Sequence, residues 1–231
     1  MPSFLDELPT DQLLLDVSLW SADLSALGDE AARISPHADL LHIDASDTVF
    51  VPDPLFFPDL VSAVRPHTDL PLHVHLMAHR PARLAQAFAD AGANMITVHA
   101  EADAAGEAVD VIRAAGLPVG VALTLDTRPG DAAEILATAD AVVLIGTPLG
   151  TKGTLMSPAA PARITETRGL LDATGRRVPI FADGGIRRDT VAPLAAAGAT
   201  GVVPGSLLWN GSDLAQTAAW IRSRCQERSQ R

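Results

Sequence analysis

Lysine and cysteine are almost missing from this 231-residue chain, which carries one of each, Lys152 and Cys225. A single thiol cannot build an internal disulfide framework; the compartment is then open, with the cytosol favoured. Charged residues are also sparse, at 19% against 48% hydrophobic. That balance excludes a disordered chain and leaves enough apolar material for a sizeable core. Basic charge is the scarcer sign: the net charge is −11 and the isoelectric point near 4.9. Phosphate backbones and anionic membranes select basic patches, so neither is an expected partner. A phosphorylated small molecule stays open, because backbone amides at helix N-termini hold phosphate without net positive charge. No apolar run reaches the roughly 18 residues that a membrane helix needs. The start, Met1-Pro2-Ser3-Phe4-Leu5-Asp6, is acidic, so no secretory signal is expected. The composition therefore points to a soluble, cytoplasmic protein.

What is present is an alternation. Short apolar runs at 13–17, 40–44, 70–76, 95–98, 119–123, 141–145, 178–182 and 201–203 read as strands. Between them, Ala-, Leu- and Arg-rich segments at 23–34, 58–64, 81–91, 104–115, 129–138, 159–173, 189–197 and 214–225 read as helices. Asp23, Asp189 and Asp213 are placed to cap helices, Pro81 and Pro129 suit first turns, and Gly92, Gly116 and Gly198 follow last turns. Eight strands alternating with eight helices, with no linker or break in composition, predict one (β/α)₈ barrel domain over 1–231, with 1–11 as an N-terminal extension. An open doubly wound sheet also alternates in this way, but its G-x-G-x-x-G fingerprint is absent after the first strand.

Four residues of metal-ligand type stand at the ends of these strands: His42 and Asp44 in Leu41-His42-Ile43-Asp44, His75 in Leu72-His73-Val74-His75-Leu76, and Asp183 before Gly184-Gly185. Residues two apart on a strand leave the same face, so His42 and Asp44 project together. Barrel enzymes carry their sites at the C-terminal strand ends, where residues from strands two, three and seven can meet. Two imidazoles and two carboxylates suit a divalent transition ion, and two carboxylates also offer an acid and a base for moving a proton across a carbon.

These residues also carry a family resemblance. Leu41-His42-Ile43-Asp44-Ala45-Ser46-Asp47 with Phe50-Val51-Pro52, then His75-Leu76-Met77 and Asp183-Gly184-Gly185-Ile186, resemble the three signatures of ribulose-phosphate 3-epimerases. Ser18-Leu19-Trp20-Ser21-Ala22-Asp23 resembles the family's N-terminal serine segment, and the likeness runs from about Leu15 to Trp209. The resemblance implies a TIM barrel with one divalent ion, usually zinc and otherwise manganese, iron or cobalt, on His42, Asp44, His75 and Asp183. Asp44 and Asp183 would double as the acid and base that epimerise a ketose phosphate at C3 through a metal-stabilised enediolate. D-ribulose 5-phosphate to D-xylulose 5-phosphate is the implied reaction. Ser18 and Met77 match residues near the substrate, and Gly184, Gly185, Gly205 and Ser206 fit a phosphate site at the last two strand ends. A homo-oligomer is the expected assembly.

Departures from the family fall on the loops. Ser46-Asp47-Thr48-Val49 stands where Met-Asp-Gly-His is usual, His73 where aspartate is usual, and Thr147-Pro148-Leu149-Gly150-Thr151-Lys152-Gly153 replaces a glycine-rich loop that is one residue longer. Epimerisation of a hexulose or heptulose phosphate is therefore kept as an alternative, as is a sugar-phosphate-binding barrel without turnover. Lys152 is read either as a contact to the substrate phosphate or as a solvated loop residue. His73 and His99 are expected to pack or to support the ligands. Related decarboxylases and aldolases need an Asp-x-Lys-x-x-Asp signature, and Asp44-Ala45-Ser46 supplies no lysine.

Overall fold

The computed structural model describes residues 3–211 and 213–225. The parts of the expected 1–231 domain at 1–2, 212 and 226–231 lie outside the described residues. Eight parallel strands, β1 (Leu14–Ser18), β2 (Leu40–Ser46), β3 (Leu72–Met77), β4 (Met95–His99), β5 (Val119–Leu123), β6 (Ala141–Ile145), β7 (Ile180–Asp183) and β8 (Gly201–Val203), close in sequence order. β8 returns to β1 through the pairs Leu14↔Gly201 and Leu15↔Val202. The expected (β/α)₈ barrel is the observed architecture.

Strand alternation divides the core in two. Leu13, Leu15, Val17, Leu41, Ile43 and their counterparts face outward and pack beneath the helices. Leu14, Leu40, Met95, Ala122, Ala141, Val143, Ile145, Phe181 and Val203 form a separate cluster inside the barrel. Burying each large side chain of this kind contributes about 1.5–3 kcal/mol. From the first strands to the fourth the lumen turns polar: Asp16, Ser18, His42, Asp44, His73, His75, Thr97 and His99 are all buried there. Strands β1 to β4 thus carry nearly all of the lumen's polar groups, alongside the apolar Leu14, Leu40 and Met95. In the extension, a short 3₁₀ turn at Phe4–Glu7, capped by Ser3, packs Phe4, Leu5 and Leu8 against the inner cluster.

The helices are α1 (Leu27–Ile34), α2 (Pro58–Val64), α3 (Ala82–Asp90), α4 (Ala105–Ala114), α5 (Ala133–Leu136), α6 (Ala160–Asp172), α7 (Val191–Ala197), α8 (Ser206–Trp209) and α9 (Leu214–Ser223). Several differ from expectation. The first turn, Leu24–Ala26, is 3₁₀, with Asp23 capping it through Ser25 N, and Pro129–Ala132 is likewise 3₁₀, leaving α5 only four residues. Pro81 stands at the N-cap of α3 rather than inside its first turn. Asp189 is not the N-cap of α7: Thr190 takes that position and turns its hydroxyl back onto Gly185 O and Arg187 N. Asp213 does cap α9, accepting from Gln216 N. Gly92, Gly116 and Gly198 all adopt positive φ after helix ends, as their positions predict. Helix α8, directly after β8, was not expected from the sequence, being too short to carry a period.

Candidate active site

β2 and β3 pair in a register that sets Asp44 opposite His75. Asp183, the last residue of β7, reaches the same point from across the barrel. The result is a compact set: one donor atom from each of His42, Asp44, His75 and Asp183, all within 4.8 Å of one another. His42 Nε2 lies 3.4 Å from Asp44 Oδ1 and 3.8 Å from Asp183 Oδ2. His75 Nδ1 lies 3.3 Å and 3.6 Å from the same two oxygens.

The donor atoms suit a cation in their protonation as well as their spacing. His42 Nδ1 is 2.8 Å from Asp16 Oδ2 and so carries a proton that it donates there. Its Nε2 is buried, has no hydrogen-bond partner among the described residues and faces the two carboxylates, where it can give a lone pair to a cation. On the other side His75 Nε2 is 2.8 Å from His99 Nε2, and His99 Nδ1 is 3.2 Å from Glu101 Oε2. Glu101 in turn accepts from Thr124 N and Oγ1 at 2.9 and 3.0 Å. Read from the carboxylate inward, each ring donates to its outer neighbour, an order that turns His75 Nδ1 toward Asp44 Oδ1, 3.3 Å away, and Asp183. A buried ring at His99 is held neutral, burial pushing it down to about 4. Burial alone would lower His42 too, but the charges of Asp16 and Asp44 raise it well above 6.5. A pocket that draws a proton so strongly has a negative field that a divalent ion would answer, and the residues present fit one.

The two carboxylates are pushed apart. Burial raises Asp44, but His42 and His75 outweigh it and hold the group well below the usual carboxylate range. Burial raises Asp183; His42 pulls against that rise and the charge of Asp44 adds to it. Two carboxyl groups driven in opposite directions are equipped as base and acid.

A cavity of about 440 Å³ opens above them. Ser18, Met77, Lys152, Gly184, Gly185, Gly205 and Ser206, all singled out from sequence, line it together with Asp44, His75 and Asp183. Ser18 does not cap the following 3₁₀ turn; its hydroxyl donates to Asp44 Oδ2 at 3.2 Å. Gly184 and Gly185 have φ of +89° and +69°, and a Cβ on Gly185 would stand 2.7 Å from Met156 N. Met156 belongs to the segment after β6 that roofs the cavity. That segment is tied down at several points. Ser157 N donates to Gly146 O at 2.7 Å, Arg187 Nη2 donates to Gly153 O at 2.7 Å, and Lys152 Nζ donates to Trp20 O at 2.5 Å. Lys152 also stands 5.0 Å from the Trp20 ring centre, so it latches the roof to the loop after β1 rather than extending freely into solvent.

Sequence reasoning missed Asp16, Thr97, Glu101, Arg187 and Trp20. An aspartate inside Leu13-Leu14-Leu15-Asp16-Val17 was the one available signal, since a buried strand charge needs a partner. Asp47, in the loop that departs from the family, organises that loop by accepting from Val49 N, Phe50 N and His79 N.

Comparison with known proteins agrees with this geometry. Residues 14–209 match the model of the ribulose-phosphate 3-epimerase family. The ribulose-phosphate 3-epimerase of Bacillus subtilis is 36% identical over 208 residues, 89% of this chain and 96% of that protein. The ribulose-phosphate 3-epimerase 1 of Cupriavidus necator is 34% identical over 202 residues, 85% of this chain and 84% of that one. Among solved structures, a 3-hexulose-6-phosphate synthase superposes with a TM-score of 0.66 at 20% identity, covering 92% of this chain and 99% of that one. An orotidine 5'-phosphate decarboxylase from Pyrococcus horikoshii gives 0.64 at 15% identity, covering 92% and 99%. These two show the barrel fold alone. The strand-end signatures, the barrel that gathers them and the relatives that align along almost the whole length agree: the chain belongs to the ribulose-phosphate 3-epimerase family of isomerases.

Proposed function

We propose that this chain interconverts D-ribulose 5-phosphate and D-xylulose 5-phosphate by moving a proton at C3, with one divalent ion on His42, Asp44, His75 and Asp183. The observation that carries the reading is the convergence of those four side chains around the bare, buried Nε2 of His42. Bound there, an ion would supply positive charge that lowers the cost of the negative charge left when the C3 proton is removed. Asp44 and Asp183 stand on different strands at the cavity floor, so each can serve one face of a planar carbon. In one direction the ionised Asp44 takes the proton while Asp183 delivers its own to the opposite face; the reverse reaction exchanges the roles. Ser18 holds Asp44 in place through the bond to Oδ2. The amides at Gly184, Gly185, Gly205 and Ser206 are the proposed phosphate seat, with Met77 on the cavity wall and Lys152 on its roof.

The test is a pair of conservative changes. Asp44→Asn and Asp183→Asn should each lower kcat by several orders of magnitude, because an amide cannot exchange a proton near neutrality. The variant that lacks only the reprotonating acid should still exchange the C3 hydrogen with solvent deuterium from one epimer. Substantial turnover in either variant would remove the two-carboxylate scheme. Running the same assay on hexulose and heptulose phosphates decides the sugar, a larger kcat/KM on either one displacing the pentulose.

A further inference from the structure

Directly beneath the site lies a polar layer that the proposed chemistry does not use. Asp16, His73 and Thr97 sit in the barrel lumen with no solvent exposure. Asp16 Oδ2 is 2.8 Å from His42 Nδ1 and 2.6 Å from His73 Nδ1, so one oxygen accepts from both rings. His73 Nε2 is 2.6 Å from Thr97 Oγ1; with the Nδ1 proton given to Asp16, Nε2 accepts the threonine hydroxyl. Three strands thus brace one carboxylate: His42 from β2, His73 from β3, and Thr97 through His73 from β4. Room for the threonine is made by Gly120 on β5, where a Cβ would stand 1.7 Å from Thr97 Oγ1.

The arrangement is costly as mere packing. Asp16 is a fully buried carboxylate whose other oxygen, Oδ1, has no hydrogen-bond partner among the described residues. Leu14, two residues earlier on the same face, fills the lumen without that cost. What the carboxylate does achieve is to fix the tautomer and the plane of His42, leaving Nε2 bare toward Asp44 and Asp183.

We infer that Asp16 is a positioning residue for His42, and that His73, held by Thr97, aims the Asp16 carboxylate. The inference rests on the reading of His42, Asp44, His75 and Asp183 as the ion-binding set. It has a geometric corollary. His42 and His73 are paired across β2 and β3, with ring centres 4.8 Å apart. An aspartate at position 73 would therefore approach His42 Nδ1 from the other side, and should replace a missing Asp16.

The experiment uses the full chain, stripped with a chelator and reloaded with zinc or with cobalt(II), whose visible spectrum reports ligand geometry. Affinity is measured by competition with a chromophoric chelator. Asp16→Asn, which keeps the shape of the side chain, should weaken ion binding about 10–100-fold. It should also alter the cobalt spectrum, while the metal-free proteins melt together. Asp16→Ala/His73→Asp should bind within a few fold of the parent, although Asp16→Ala alone does not. Asp16→Asn binding zinc as tightly as the parent would overturn the inference and leave the ion site standing. An affinity loss that His73→Asp fails to recover would also overturn it, because a loosened lumen would then explain the loss. A parent protein whose ion binding is untouched by His75→Ala would instead remove the underlying site, a result that the Asp16 variants cannot produce.

Discussion

Two glycines in the upper loops form a matched pair. Gly153 and Gly185 have φ of +75° and +69°, so an alanine at either meets the same backbone penalty of about 1–2 kcal/mol. Part of it, about 0.4–1 kcal/mol, is returned by the stiffer unfolded chain. The surroundings differ. Among the described residues a Cβ at 153 meets nothing within 4 Å, whereas at 185 it meets Met156 N, Cβ and Cα at 2.7, 2.8 and 2.9 Å. Two of those three atoms are backbone and cannot rotate away. Overpacking of this kind costs about 1–3 kcal/mol, so Gly185→Ala should be less stable than Gly153→Ala by that amount. In a protein of this size the difference is roughly 2–12 °C in melting temperature, read by calorimetry or by circular dichroism. If the roof segment yields to the new methyl group, it must move away from the proposed phosphate seat, and KM should rise for Gly185→Ala alone. The two variants melting together, with equal KM, would refute the steric reasoning and the placement of the roof against Gly185.

Lys152→Ala should raise KM about tenfold or more while changing kcat less, if the ammonium leaves Trp20 for the substrate phosphate; the contact would be worth about 1.5–3 kcal/mol and is shared by ground and transition states. Unchanged kinetics would confine Lys152 to its latch on Trp20. Removing the ion with a chelator should lower the melting temperature, since an ion at 100 times its Kd adds about 2.7 kcal/mol to the folded state; a melting curve indifferent to zinc would contradict a resident ion. Glu101 supplies a pH test. Burial raises its carboxyl, but the bonds from His99 and Thr127 hold it down at about 2, below the ordinary 4.5. The stability this confers is present above the unfolded value and lost as pH falls from about 4.5 toward 2. The advantage of the parent over Glu101→Gln in urea denaturation should therefore shrink across that window, and a constant gap would show that the charge is not what His99 uses.

The strands, the barrel and the four candidate ligands were legible in the sequence for a local reason. Each ligand lies in or at the end of a short apolar run, and strand alternation alone tells which face it takes. Asp16 resisted reading because its partners, His42 and His73, lie 26 and 57 residues away and meet it only through barrel closure. Lys152 is similar: its acceptor, Trp20 O, is 132 residues distant. The expected cap at Asp189 failed because Thr190, one residue on, has a hydroxyl with nearer partners in the turn. The helix at Ser206–Trp209 is a single turn, which leaves no repeat to detect, although Gly205-Ser206 had marked the place.

The roof latch has a practical side. Because Lys152 is the only lysine, it is the only side-chain amine in the chain, and it stands at the mouth of the cavity. An amine-selective acylating reagent would therefore mark the entrance and no other side-chain amine, leaving the α-amino group as the one competing amine. Loss of the ammonium would end the bond to the Trp20 carbonyl and the attraction to its ring. A small acyl group should free the roof, and a fluorescent one should sense the indole beside it. The enzyme's scarcity of lysine thus becomes a built-in labelling address at the mouth of the cavity.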